Sequence, residues 1–298
     1  MSNHFNSLYT EVSVKPNAVA IQLQYTLAVC AMHHPPFGTV ERWAWDYVLG
    51  TSLASKMTPP LVPDLWENDP PVRRIAAPGR PPELVVVARA RKVRGLRSPL
   101  GRARALHTFW HHELQAAELM AWALLAFADA PRDFRRGLLR LALDEIRHMN
   151  MYAAYIQRLG YRVGDFPVRD WFWARVPASV DPAAFVAVMG LGLESANVEH
   201  SAAFAARFRA AGDDDGARVQ EIIGHEEIDH VRFGVEWFSR FKGSLTFAAW
   251  RASLPKPLSP MLMRGANLDR PSRMQAGQPS AFVDELEAWR WMPDSPGC

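Results

Sequence analysis

Two Glu-x-x-His sequences, Glu145-Ile-Arg-His148 and Glu227-Ile-Asp-His230, stand 82 residues apart in stretches whose apolar residues recur every three or four positions. A helix presents residues three apart on one face, so each motif sets a carboxylate beside an imidazole, about one turn apart, on a face that is otherwise apolar. Each motif also follows a helical stretch with an inward acid: Glu113 lies 32 residues before Glu145, and Glu194 lies 33 before Glu227. One such motif arises by chance in many helices. Two of them, each on the second member of a helical pair whose first member buries a lone Glu, restrict the chain to folds in which six ionisable side chains meet in a core.

The buried stripes make this concrete. They read Leu106, Trp110, Glu113, Ala117, Met120, Leu124 on the first helix and Phe134, Leu138, Leu141, Glu145, His148, Tyr152, Tyr155 on the second. The third runs Ala187, Leu191, Glu194, Val198, Ser201, Ala205, Phe208, and the fourth Ile223, Glu227, His230, Gly234, Trp237, Phe241. Helical periodicity starts after Ser98 and breaks at ADAPRD, at the stretch 160–182 and at AGDDDG, which predicts helices over 101–128, 133–159, 182–210 and 216–241. Two short loops and one long crossover give an all-α chain with the layout of a ferritin-like four-helix bundle over 98–242. Residues 1–97 are an N-terminal extension and proline-rich arm, with a helix near Asn17 to Met32 and a short strand over Leu84 to Val87 as expectations. Residues 243–298 form a loop and a capping helix over Ser280 to Trp291, with Ser280 as its cap.

Four carboxylates cannot sit unpaired in such a core, because each costs several kcal/mol to bury without compensation. Two divalent cations would supply it. The halves also repeat: Glu113 to Glu194 and Glu118 to Glu199 are both 81 residues, and the motifs recur at 82. Such a pair of hairpins offers each metal one terminal Glu, one His and a share of two bridging Glu. The metal ligands are therefore read as Glu113, Glu145, His148, Glu194, Glu227 and His230.

Glu118 and Glu199 compete with Glu113 and Glu194, since each lies five residues on; the earlier pair is preferred because its stripes are wholly apolar and its separation from the motifs is longer. Glu118 is read otherwise as an acid bonded to His111 or Arg147. Asp144 and Glu226, just before the motif glutamates, are read as acceptors for the outer N–H of the histidine on the opposite hairpin. His107, His111, His112, His200 and His225 lack a same-face acid at ligand spacing and read as packed or polar-face histidines. The histidines of His225-Glu-Glu-Ile-Asp-His230 are five apart, which excludes the zinc-protease pattern. Gly190-Leu-Gly192 lies within a helix and reads as room for close packing or a substrate, not as a phosphate loop.

Composition removes other classes. Cys30 and Cys298 are the only cysteines, too few for a disulfide framework or a thiolate metal site, and no stretch has the length and apolarity of a membrane span. The beginning MSNHFNSLYTEV lacks the basic and apolar regions of a secretory signal, so a cytoplasmic protein is expected. The net charge of +3 is uneven: residues 73–104 hold ten Arg or Lys against Glu83 alone. This segment reads as an arm across an acidic helical surface in preference to a nucleic-acid contact, since no aromatic platform accompanies it.

The segments HHELQAAELM (111–120), DEIRHMNMY (144–152), LGLESANVEH (191–200), EEIDHVRFGVEWF (226–238) and PLSPMLMRGANLD (257–269) resemble the ferritin-like di-iron carboxylate superfamily. Over residues 76–290 the chain resembles a bacterial ferritin-like family labelled as a domain of unknown function, the 455 type. The resemblance implies a di-iron centre, with manganese or a mixed Mn/Fe pair also suited to the ligands, and often O2 chemistry on a small molecule. An oxidase or oxygenase is the leading expectation, with an electron donor that the sequence does not identify and a homodimer compatible with it. A metal-handling or stress protein without organic substrate is the alternative. A more distant similarity to tRNA-hydroxylating di-iron enzymes would give the basic segment a purpose.

Overall fold

A computed structural model describes residues 34–89 and 95–290, and those from Pro35 onward belong to one unit. The expected helix near Asn17 to Met32, both cysteines and residue 291 lie outside the described residues. Within them the chain is helical, and its extended pairings are the isolated bridges Thr39 to Leu65 and Val86 to Val168. The strand expected over Leu84 to Val87 is therefore a single bridge: Val87 N–H donates to the Val168 carbonyl at 2.8 Å and Val168 N–H to Val85 at 2.9 Å. A prolyl-rich arm lacks the run of N–H donors a ladder needs.

Helices α1 (Val40–Leu49) and α2 (Leu53–Met57) lie in a region where no helix was predicted. They are short, and side-chain caps at Thr39 and Ser52 start them. The long helices α3 (Pro99–Ala126) and α4 (Arg132–Arg158) follow, joined by a short turn and packed along each other. Ser98 caps α3 by accepting from Gly101 N–H, and Pro99 occupies its first turn, where a missing donor costs nothing. After the crossover, α5 (Pro182–Val188) runs through a π-helical turn, Met189–Glu194, into α6 (Ser195–Ala210). Helix α7 (Asp214–Lys242) returns beside α6 and also packs on α4. It is capped by Asp213 and ends at Gly243, whose φ of 83° permits the left-handed turn.

The C-terminal residues form α8 (Phe247–Ser253), a 3-10 turn at Pro260–Met263, α9 (Arg270–Gln275) and α10 (Ser280–Ala288). Ser280 is the first residue of α10 and not its cap; Pro279 holds that position and no side chain caps the helix. Phe282 and Leu286 are buried, and Phe282 meets Phe247 and Trp250 of α8 edge-on. No helix among the described residues is long and apolar enough to cross a membrane.

One close approach sets how tightly the second hairpin can pack. A Cβ on Gly190 would lie 2.8 Å from Gly234 Cα, so the backbones of the π turn and α7 touch where two glycines face each other. A Cβ on Gly192 would lie 2.4 Å from Met263 Sδ. Both glycines of Gly190-Leu-Gly192 therefore make room for neighbours.

Candidate metal centre

The acids and imidazoles of the four stripes converge midway along the long helices. Glu113 comes from α3, Glu145 and His148 from α4, Glu194 from the end of the π turn, and Glu227 and His230 from α7. All six are at most 4% exposed. They form two overlapping groups that could hold a metal ion: Glu113, Glu145, His148 and Glu227, and Glu145, Glu194, Glu227 and His230, each with its ligand atoms within 4.8 Å of one another. Glu145 and Glu227 belong to both groups.

Each imidazole turns Nδ1 inward. His230 Nδ1 is 2.9 Å from both Glu145 Oε1 and Glu227 Oε2, and His148 Nδ1 is 3.5 Å from Glu145 Oε2 and Glu227 Oε1. The outward nitrogens cross to the opposite hairpin. His148 Nε2 is 2.7 Å from Glu226 Oε2, while His230 Nε2 faces Asp144 Oδ2 at 3.6 Å, longer than a direct hydrogen bond. Arg147 grips Glu226 with both guanidinium nitrogens, at 3.2 and 2.7 Å. Asn197 donates to Glu227 Oε1 at 3.0 Å.

Charge is distributed unevenly over the cluster. Burial, aided by the neighbouring Glu145, pushes the Glu113 carboxyl well above its ordinary range, and burial with Glu227 and Glu145 does the same to Glu194. Burial would also raise Glu145, but His230 and His148 outweigh it and hold Glu145 below the usual carboxylate range. Burial opposes charge on both imidazoles, yet the carboxylates of Glu145 and Glu227 prevail and raise both. The side chains alone thus favour protons on Glu113, Glu194, His148 and His230.

Hydrogen bonding leaves the centre incomplete. Glu145 Oε1 and Oε2, His148 Nδ1, Glu194 Oε1, Glu227 Oε2 and His230 Nδ1 are buried without a hydrogen-bond partner, despite their close approaches. Buried polar atoms are normally paired, so six orphans pointing at one another mark a place shaped for something they would all bind.

Glu118 and Glu199 lie outside both groups, each held by an opposite charge from beyond the long helices. Glu118 takes Arg80 Nη1 at 2.6 Å, Lys56 Nζ at 2.8 Å and the Trp173 indole N–H at 2.8 Å. Its partners are not His111 or Arg147, as the sequence led us to expect. Glu199 takes Arg273 Nε at 2.7 Å and the Asp269 N–H at 2.9 Å. Neither Arg80 nor Arg273 carries a sequence signal for this role, because a cation in a proline-rich segment is indistinguishable from a solvated one until the chain folds back.

Part of the basic segment is likewise paired within the protein, while Arg89, Arg97 and Arg104 are exposed. Arg73 binds Glu67, Arg74 donates to the Ser179 and Val180 carbonyls, Arg80 joins Glu118 to Asp170, and Arg102 reaches Asp213. Residues 90–94 lie outside the described residues. Of the other histidines, His107 is buried and accepts from Gly164 N–H at 2.9 Å, and burial lowers it to about 4. His111 lies 3.2 Å from Asp170. None of His107, His111, His112, His200 and His225 enters either metal-holding group.

The family description "Protein of unknown function (DUF455)" matches residues 44–284. The chain belongs to the DUF455 family. All six residues of the cluster, and also Glu118, Glu199, Lys56, Arg80 and Arg273, lie inside the part of the chain that defines DUF455 membership. The chain is also similar to an uncharacterized protein of Haemophilus influenzae (strain ATCC 51907 / DSM 11121 / KW20 / Rd), with 27% identity over 146 residues. That stretch is 46% of this DUF455 chain and 51% of the relative, so the match spans about half the length of each. No solved structure matches the chain.

Proposed function

We propose that this DUF455 chain is a ferritin-like four-helix bundle that holds two metal ions, iron or an Fe/Mn pair, and activates O2 to oxidise a small molecule. The observation that carries this reading is the pair of metal-holding groups that share Glu145 and Glu227. Each group has its own Glu and its own His, so Glu113 and His148 would hold one ion and Glu194 and His230 the other, with Glu145 and Glu227 within reach of both. Nitrogen and carboxylate donors suit iron and manganese, and the six orphan atoms are the donors that would be satisfied. Two ferrous ions held this close would supply the electrons and the Lewis acidity that O2 reduction needs.

The chain's own residues prepare the centre. Glu226 fixes the ring of His148 by accepting from Nε2, which leaves Nδ1 free to donate its lone pair inward. Asp144 faces the equivalent atom of His230. The protons favoured on Glu113, Glu194, His148 and His230 must leave as cations enter, so loading exchanges one form of positive charge for another. Tyr152, Trp110 and Trp237 are buried and pack in the same stripes. The C-terminal residues close over the hairpin that carries Glu194, which favours an enclosed enzyme site over a bare storage bundle.

The test is anaerobic loading with ferrous ion followed by metal counting and rapid mixing with O2. The reading expects two ions per chain and a transient visible absorption on mixing. A chain that takes up no metal, with a melting temperature unmoved by iron, would show that the cluster is a buried polar network and nothing more.

A further inference from the structure

Glu194 reaches the cluster from an irregular piece of backbone. The helical run that carries it widens to π geometry over Met189–Glu194, whereas Glu113 sits within an unbroken α-helix. A π turn is less favourable than α-helix and persists where surrounding contacts demand it. Those contacts come from two sides. Gly234 of α7 presses on Gly190, and the C-terminal segment 254–278 presses on Gly192.

The second contact is built in detail. Met263 is fully buried, with Sδ and Cγ in the space where a Gly192 side chain would begin. Arg273, 2% exposed, holds it there: Nη2 donates to the Met263 carbonyl at 3.2 Å and to Glu199 Oε2 at 3.2 Å, while Nε donates to Glu199 Oε1 at 2.7 Å. Arg273 Nη1 also donates to Gln278 Oε1 at 3.3 Å. Gln278 in turn donates to Ser195 Oγ at 2.9 Å, on the residue that follows Glu194, and Ser195 Oγ lies 3.4 Å from the Gly190 carbonyl. Every partner on the helical side, Gly190, Gly192, Ser195 and Glu199, lies within five residues of Glu194.

We propose that segment 254–278 is a brace that positions Glu194 for one of the two ions, through the wedge of Met263 on Gly192 and the bond from Gln278 to Ser195. Met263, Gln278 and Arg273 are positioning residues; none belongs to either metal-holding group. The inference rests on the two-metal reading above, and it adds an asymmetry that the pseudo-symmetric ligand set does not have. The ion held by Glu194 and His230 depends on the C-terminal brace, and the ion held by Glu113 and His148 does not.

The experiment titrates full-length protein with ferrous ion under anaerobic conditions, by calorimetry and by counting bound metal. Met263→Ala and Gln278→Ala are each expected to weaken one ion at least tenfold and leave the other unchanged, with Met263→Leu restoring normal binding. In a Glu194→Gln background, which already lacks the braced ligand, Met263→Ala should add nothing; in a Glu113→Gln background its full effect should remain. Equal weakening of both ions, or unchanged affinities with only a lower melting temperature, would overturn the brace. Gln278→Ala, which removes one hydrogen bond, decides the matter if Met263→Ala does not fold. Failure of the unsubstituted chain to bind two ions would instead remove the two-metal reading itself and the brace with it, and that result appears before any substitution is made.

Discussion

His148 presents Nδ1 to Glu145 and Glu227 while its Nε2 lies 2.7 Å from Glu226, on the opposite hairpin. The same two-faced arrangement at His230 is looser, with Asp144 at 3.6 Å. Partners that orient a ligating imidazole are worth about 10–100-fold in metal affinity. Glu226→Gln should therefore weaken metal binding by about that factor, and Asp144→Asn by less, which a metal titration of the two variants against the parent would show. Equal losses would mean that the difference in distance has no consequence.

Glu113 and Glu194 are buried acids whose charged forms burial disfavours. Replacing Glu113 and Glu194 together by Leu removes both carboxyls, and burying a polar group without full hydrogen bonding costs roughly 1–3 kcal/mol. The double variant should melt higher than the metal-free parent and no longer respond to added iron. A lower melting temperature would count against the idea that these residues are kept for binding.

The metal-free protein should lose stability over the window that opens near the ordinary histidine value of 6.5 and runs upward in pH. His148 and His230 are raised, so the stability they contribute is complete below their ordinary value of 6.5 and is lost as pH rises through their folded values. Glu113 and Glu194 are raised too, and act in the same sense from 4.5 upward. Glu145, Asp144 and Glu226 are lowered, so their contributions are already complete in this window and vanish only in acid. Bound metal removes the proton requirement, so the gap between loaded and metal-free melting temperatures should widen with pH. Thermal scans across this range, with and without metal, provide the check.

Glu118 anchors the N-terminal arm without belonging to the cluster. Lys56 is 1% exposed, and its ammonium is met by Glu118 and by the carbonyls of Tyr47 and Val48. Glu118→Ala would leave that buried cation without a counter-charge, and Arg80 with Asp170 alone, at a cost of about 3–5 kcal/mol. Chemical denaturation should show a loss of this size while the variant that folds still binds two ions. Loss of one ion would instead place Glu118 in the metal site.

The residues that form the helices, and those that meet at their centre, were legible in the chain because both follow from local rules. Apolar spacing marks helix faces to within a few residues: 101–128 expected against Pro99–Ala126 found, and 216–241 against Asp214–Lys242. Charges at stripe positions, repeated at 82, mark Glu145, His148, Glu227 and His230 without knowledge of the fold, whereas the 81-residue repeat fits Glu118 and Glu199 as well as the preferred Glu113 and Glu194. The short helices α1 and α2 escaped because they span ten and five residues, too few turns for a period to stand out. What only the tertiary structure decided is which cation answers which acid, and where the backbone leaves regular geometry. Arg80 reaches Glu118 across 38 residues and Arg273 reaches Glu199 across 74. The π turn at Met189–Glu194 is held by Gly234 and Met263, which are distant in sequence. Such pairings depend on chain reversal and packing, and neither leaves a periodic trace in the amino-acid sequence.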